Sequence, residues 1–419
     1  MASIINASTS GAGGLITTAD NTGNLNLQSN GTTVLGLTSG GVAVTGTLTQ
    51  GGNNVLTSAS LGSSAQAYSA NLTEYASTGV NMRNRIINGD MKIDQRNAGA
   101  SVTPANGAVT YTIDRWAFYV NQASKLTAQQ SSTAPSGFTN SLKVTSSSAY
   151  SVGASDRFLL QQYIEGFNVA DLGWGTANAK TVTLSFQVYS SLTGTFGGSL
   201  KNNDGTRSYP FSYTISSANT WTTVSVTIAG DTSGTWEKTT AAGIILNFGL
   251  GTGSTFSGTS GSWASANYDS VTGATSVVGT NGATWYITGV QLEVGSTATP
   301  FERRMYGTEL ALCQRYFQRL GSAVGMASAS NFITAAIQFF VPMRTTPTVS
   351  TSNLMTVTDT NAIDATQSST GIAIVSGTRA NNLGMNFTLT NLSGLTVSKL
   401  FITVPYAYSD GVVLVSAEL

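Results

Sequence analysis

The 419-residue chain has no histidine, a single cysteine, and only 9% charged residues. Without histidine, Ser-His-Asp and Cys-His catalysis and every imidazole-bound metal are excluded. Cys313 on its own cannot close an intrachain disulfide, so stability must come from packing or from assembly. The 19 basic and 19 acidic residues cancel and gather into no basic cluster, which removes the phosphate neutralisation that nucleic-acid binding needs. No apolar run approaches the roughly 18 residues of a membrane span, and "MASIINASTS" is not a basic segment followed by an apolar one. Neither membrane insertion nor an N-terminal export signal is expected.

Ser, Thr, Asn and 46 glycines supply the missing polarity, while 41% hydrophobic residues suffice for more than one core. Thr, Val, Ile, Tyr and Phe recur between turn residues and strong helix formers are scarce, which predicts an all-β protein with very little helix.

Four segments follow along the chain. In 1–59 the only charged residue is Asp20, and short alternating strands ("NLNLQ", "TTVLGL", "VAVTGTLT") lie between Asn-Gly and Gly-Gly turns. Such strands cannot bury a core within one chain; several identical chains wrapping together would cover them. In 60–82, Ala65, Tyr68, Leu72 and Tyr75 fall at helical spacing, giving a short helical neck or a polar linker.

Charge returns at "RNRIINGDMKIDQRNAG", and 83–305 carries many period-two strands separated by Gly/Ser/Asn loops, the pattern of a two-sheet jelly-roll β-sandwich. "RNRIINGD" and "PFERR" are expected to lie side by side as its first and last strands, where charge protects sheet edges. In 306–419, "YGTELALCQRYFQRL" predicts one helix, with Thr308 as cap, Glu309 at its positive end, Arg315 and Arg319 at its negative end, and Leu310, Cys313, Phe317 and Leu320 as a buried stripe. A smaller C-terminal β-sandwich follows.

"NRIINGDMKIDQR", "YTIDRWAF", "ITGVQLEVGSTATPFERRMYGTELALCQRYFQ" and "FFVPMRTTPTV" together resemble the tail-fibre and tail-appendage proteins of tailed bacteriophages. The similarity covers most of 83–345 and is most specific over 287–318. It implies a homotrimeric virion component in the phage tail. Its N-terminal shaft or attachment region would join the baseplate or a proximal fibre protein, and its distal domains would meet a host surface polysaccharide. The central segment is also similar in pattern to jelly-roll carbohydrate-binding modules, whose Asn-Gly-acid stretch, here Asn88, Gly89 and Asp90, can help hold calcium. No second ligand can be assigned, so neither a metal nor another cofactor is expected.

Glycoside cleavage needs only two carboxylates, but Asp156, Glu165, Asp171, Asp204, Asp231, Glu237 and Asp269 form no recognisable pair motif, and no catalytic residue is assigned. "GLGTGSTFSGTSG" imitates a nucleotide loop without the following helix and reads as a sandwich loop. Sugar binding calls for an aromatic platform beside short polar side chains. Trp116, Trp221 and Trp285 sit in alternating strands and read as core. Trp174, Trp236, Trp263 and Tyr268 lie in Gly/Ser-rich loops, and Tyr406 and Tyr408 in a polar loop of the last segment; these six are the candidate carbohydrate contacts, with core packing and plain solvated turns as the alternatives. The expected function is non-enzymatic binding of a host glycan for adsorption. The rivals are a purely structural baseplate or fibre connector and a polysaccharide depolymerase.

Overall fold

The computed structural model describes 82–321, 324–351, 355–359, 362–369, 371–374, 383–390, 400–403 and 413–419, together with the five N-terminal strands. The chain divides into two compact units, Met1–Val80 and Asn81–Leu419. In the first, β1 (Leu25–Ser29), β2 (Thr32–Thr38) and β3 (Gly41–Val44) form an antiparallel sheet, and β4 (Leu48–Gln50) pairs with β5 (Asn53–Val55). The neck expected over 60–82 lies outside the described residues except Met82, which is not helical.

The second unit opens with a two-sheet β-sandwich. One sheet holds β6 (Val109–Ile113), β7 (Trp116–Val120), β10 (Arg157–Glu165), β12 (Gly194–Lys201), β13 (Ser208–Ile215) and β15 (Ala242–Thr252), ordered β13-β12-β15-β10-β7-β6. The other holds β8 (Leu126–Ser131), β9 (Ser141–Ser146), β11 (Val182–Ser190), β14 (Thr222–Ile228) and β18 (Thr284–Val294), ordered β14-β11-β18-β9-β8. Alternation decides which side chains meet between the sheets. Phe158 and Leu160 of β10, Leu184, Phe186 and Val188 of β11, Leu246 and Phe248 of β15, and Trp285 and Ile287 of β18 all join one buried cluster. Phe186 touches Phe248 and Tyr213 edge-on, each at 5.1 Å between ring centroids. Trp116 and Trp285 are buried as expected, whereas Trp221 is half-exposed and outside the core.

Beyond the sandwich come helix α1 (Tyr306–Gln314), the three-stranded sheet β19-β28-β22 (Phe317–Leu320, Val413–Ser416, Thr348–Thr351) and a seven-stranded sheet. The helix is shorter than the sequence suggests. Thr308 lies inside it, and its N-cap residue, Met305, makes no side-chain cap bond. Phe317 and Leu320 belong to β19, where pairing with β28 overrides the helical spacing. Among the described residues, no helix is long and apolar enough to cross a membrane.

The scarce charges collect where the sandwich meets this C-terminal part. "RNRIING" and "PFERR" do lie together, as extended segments laced by side chains rather than as paired strands. Arg83 Nη2 donates to Pro300 O (2.7 Å), Asn84 N to Glu302 Oε2 (2.6 Å), and Arg304 to the carbonyls of Asn84 and Ile86. Glu309 accepts from Asn88 N and pairs with Arg304. Arg315 holds Glu165 through two bonds of 2.9 and 2.6 Å, and Tyr316 Oη adds a third at 2.7 Å. Near the C-terminus, Glu418 pairs with Arg96 (2.6 Å) and with the fully buried Arg115.

Candidate functional site

Three of the four loop aromatics singled out in the sequence come together. Trp174, Trp236 and Trp263 form an edge-to-face trio with centroids 4.7, 5.3 and 5.4 Å apart, and Tyr209 extends it at 5.3 Å from Trp263. Each indole N–H donates to a backbone carbonyl, Trp174 to Lys180, Trp236 to Ser233 and Trp263 to Ala229. Trp174 and Trp236 are buried, so neither presents a ring face to a ligand; Trp263 is half-exposed. The trio closes the sandwich as a plug. Beside it, Arg207 grips Asp231 through two bonds of 2.7 Å and reaches Ser265 Oγ with its remaining nitrogen (2.8 Å).

Trp263 and Tyr268 belong to the Gly/Ser-rich loop 253–275, which lies over the outer face of the six-stranded sheet. Ala264 bridges Ser208, and Thr275 N bonds Thr195 O (2.7 Å). Glycine at 197 and 249 permits the approach, since a Cβ at either would come within 2.6 Å of Ser270 Oγ. Half-exposed Tyr268 lies against Gly258 within the loop. Asp269 anchors it, bonding Arg157 Nε and Lys201 Nζ, both at 2.7 Å. Tyr406 and Tyr408 lie outside the described residues.

A row of clustered aromatics lies elsewhere, on the outer face of the five-stranded sheet. Tyr189 of β11 stands opposite Tyr286 of β18, which stands opposite Lys143 of β9, which stands opposite Gln129 of β8. Trp221, immediately before β14, completes the row, 5.5 Å from Tyr189 and 6.4 Å from Tyr286 between centroids. The row crosses all five strands, which at strand spacing is about 19 Å. Trp221, Tyr189, Lys143 and Gln129 are half-exposed and Tyr286 is 9% exposed. Thr223 and Gln187 line the next level of the same face. Among the described residues, the indole N–H of Trp221 and the hydroxyls of Tyr189 and Tyr286 make no protein hydrogen bond and are not buried, unlike the indoles of the plug. The sequence signal for this row is parity. Val224 and Ile228 of β14 face the core, so Trp221 shares the parity of Thr223, Ser225 and Thr227, which face away.

On the opposite side of the sandwich, the outer face of the six-stranded sheet carries a chained polar network. Tyr163 Oη donates to Gln161 Oε1 (3.1 Å), Gln161 Nε2 to Asn247 Oδ1 (2.7 Å), and Asn247 Nδ2 to Ser199 Oγ (2.9 Å). Burial pushes the Tyr163 phenol up to about 12.

The acids weighed for glycoside cleavage are mostly tied down. Asp156 accepts from Tyr150, Gly153 and Gln122; Glu165, Asp231 and Asp269 are ion-paired and buried; Asp171 pairs with Arg85. Asn88 spends its side chain on Ile93 and on Asp114 O, and Asp90 pairs with Lys92, so the Asn-Gly-Asp stretch is engaged in holding the fold. Among the described residues, no group of three metal-ligating side chains forms.

No protein-family model matches the chain, and no curated protein matches it. Solved structures are similar to about half of it. A candidate sugar-binding protein from Bacteroides thetaiotaomicron is similar over 51% of this chain and all of its own, at 15% identity and a TM-score of 0.30. The enzymatically active domain of tailspike protein 4 from bacteriophage CBA120 matches at 13% identity and a TM-score of 0.27, over 51% of this chain and 22% of its own length. A family 11 carbohydrate-binding module from Clostridium thermocellum matches at 11% identity and 0.25, over 48% and 98%. With scores this low, function has to be argued from the chain's own geometry.

Proposed function

We propose that this chain is a non-enzymatic glycan-binding appendage of a tailed-phage virion, and that the row Trp221, Tyr189 and Tyr286 is its sugar platform. The observation that carries the reading is the aromatic row, with Trp221 and Tyr189 half-exposed over the more buried Tyr286 and with unengaged hydrogen-bonding groups, set among Thr and Gln. Sugars offer apolar C–H faces to rings and hydroxyls to short polar side chains, and this face supplies both. The virion setting is supported by the motif string over 83–345, which resembles tail-fibre proteins. Ion pairing of Glu165, Asp231 and Asp269 supports binding over cleavage, because a glycosidase needs a carboxyl free to give up a proton. In this reading the N-terminal unit joins three copies and attaches to a tail protein. Avidity among the copies then raises weak single-site affinity, of ~mM order, to useful adsorption. The test is a glycan array probed with the full chain: retention on defined surface glycans is expected, and retention on none contradicts the reading.

A further inference from the structure

We infer that the outer face of the six-stranded sheet holds a second subsite, which takes the carboxylate of an acidic sugar through Arg157, with Lys201 behind it adding positive charge. The inference rests on the glycan-binding reading and adds a ligand class to it. Two cations here share one carboxylate, that of Asp269, so the cluster carries an excess positive charge in a chain whose total is zero. Asp204, on the turn between β12 and β13, is exposed and makes no ion pair among the described residues.

The donors are also unevenly used. Arg157 spends Nε and Nη2 on Asp269, and its Nη1 has no protein partner among the described residues and is not buried. Lys201 Nζ donates to Asp269 Oδ1 and Asn267 Oδ1 (2.7 and 3.0 Å) and the residue is buried, so it contributes charge rather than a direct contact. The Arg157 guanidinium lies over the rings of Tyr119 (4.9 Å) and Phe256 (4.5 Å), contacts that with the Asp269 pair limit the freedom lost when an anion binds. Half-exposed Tyr163 borders the cluster, and its phenol is held in place by Gln161, Asn247 and Ser199, which are buried behind it. An aromatic-flanked guanidinium with a spare edge suits a planar carboxylate, and the Tyr163 phenol beside it suits a ring hydroxyl. By contrast, the Arg207–Asp231 pair is closed on itself and neutral.

Either cation can be removed without stranding Asp269, since the other stays paired to it, so the variants Arg157→Gln and Lys201→Met keep the loop anchor. The probes are polygalacturonate, alginate and hyaluronate, each immobilised as the free acid and as its methyl ester, with full-length chain applied at low ionic strength. At least one acid is expected to retain the chain about ten-fold or more over its ester, the worth of one charge-assisted contact. Arg157→Gln is expected to bring retention on that acid down to the ester level. Equal retention on acid and ester, or an unchanged preference in Arg157→Gln, overturns the inference while leaving the glycan reading in place. Retention on none of the six, together with an empty glycan array, removes both.

Discussion

Asp114 is the residue whose surroundings make the sharpest demand on conditions. Burial pushes its carboxyl up to about 7, against the opposing pull of Arg96 and of two donors from Gln95 (2.6 and 2.7 Å); Glu418 adds to the rise. Burial also raises Glu309, again opposed by a cation, Arg304. With no histidine in the chain, the neutral pH range is left to such groups. A carboxyl that holds its proton more tightly folded than unfolded contributes stability that is complete below the unfolded value, about 4, and lost as pH rises through the folded one. The melting temperature is therefore expected to fall between about pH 5 and about pH 8, and Asp114→Asn to flatten that slope. A melting temperature that rises over this range in the parent chain contradicts the assignment.

At the scale of elements, β28 is the centre of its three-stranded sheet, and the residues after it carry the seam. Arg344 donates to the carbonyls of Ala417 and Glu418 (both 2.7 Å), and Glu418 neutralises Arg115, whose guanidinium lies 3.6 Å from the Tyr316 ring centroid. Glu418→Ala leaves a fully buried arginine without its carboxylate, and about 3–5 kcal/mol of stability is expected to go with it in urea denaturation. A loss under about 1 kcal/mol means that Arg115 has found water or another partner. The elements were largely legible in the sequence, because strand alternation is a local property: β7, β11, β14, β15 and β18 lie where period-two runs predicted them. The helix boundary was not. "QRYFQRL" keeps helical spacing, and only the distant partner β28 makes part of it a strand. The candidate site was legible in part. Loop position suggested exposure for Trp174 and Trp236, but three indoles and Tyr209 bury one another, a long-range event that no loop sequence encodes. Trp221 could have been read from strand parity, which places it with the threonines rather than with Val224.

For the whole molecule, the chain divides at Val80, and the proposed assembly role belongs to the N-terminal unit. A chain beginning at Arg83 is expected to scatter light as a monomer and to adsorb to host cells far more weakly than the full chain; a trimer as tight as the parent's moves assembly into 83–419. The central claim, that the row on the five-stranded sheet contacts glycan, is tested most directly by calorimetric titration of parent, Trp221→Ala and Trp263→Ala chains with a glycan retained on the array. Trp221→Ala is expected to weaken binding about ten-fold with an unchanged melting temperature, and Trp263→Ala to lower the melting temperature with affinity per folded chain preserved. Parent-like affinity in Trp221→Ala, with loss of binding in a still-folded Trp263→Ala, contradicts the account and returns the site to the loop 253–275.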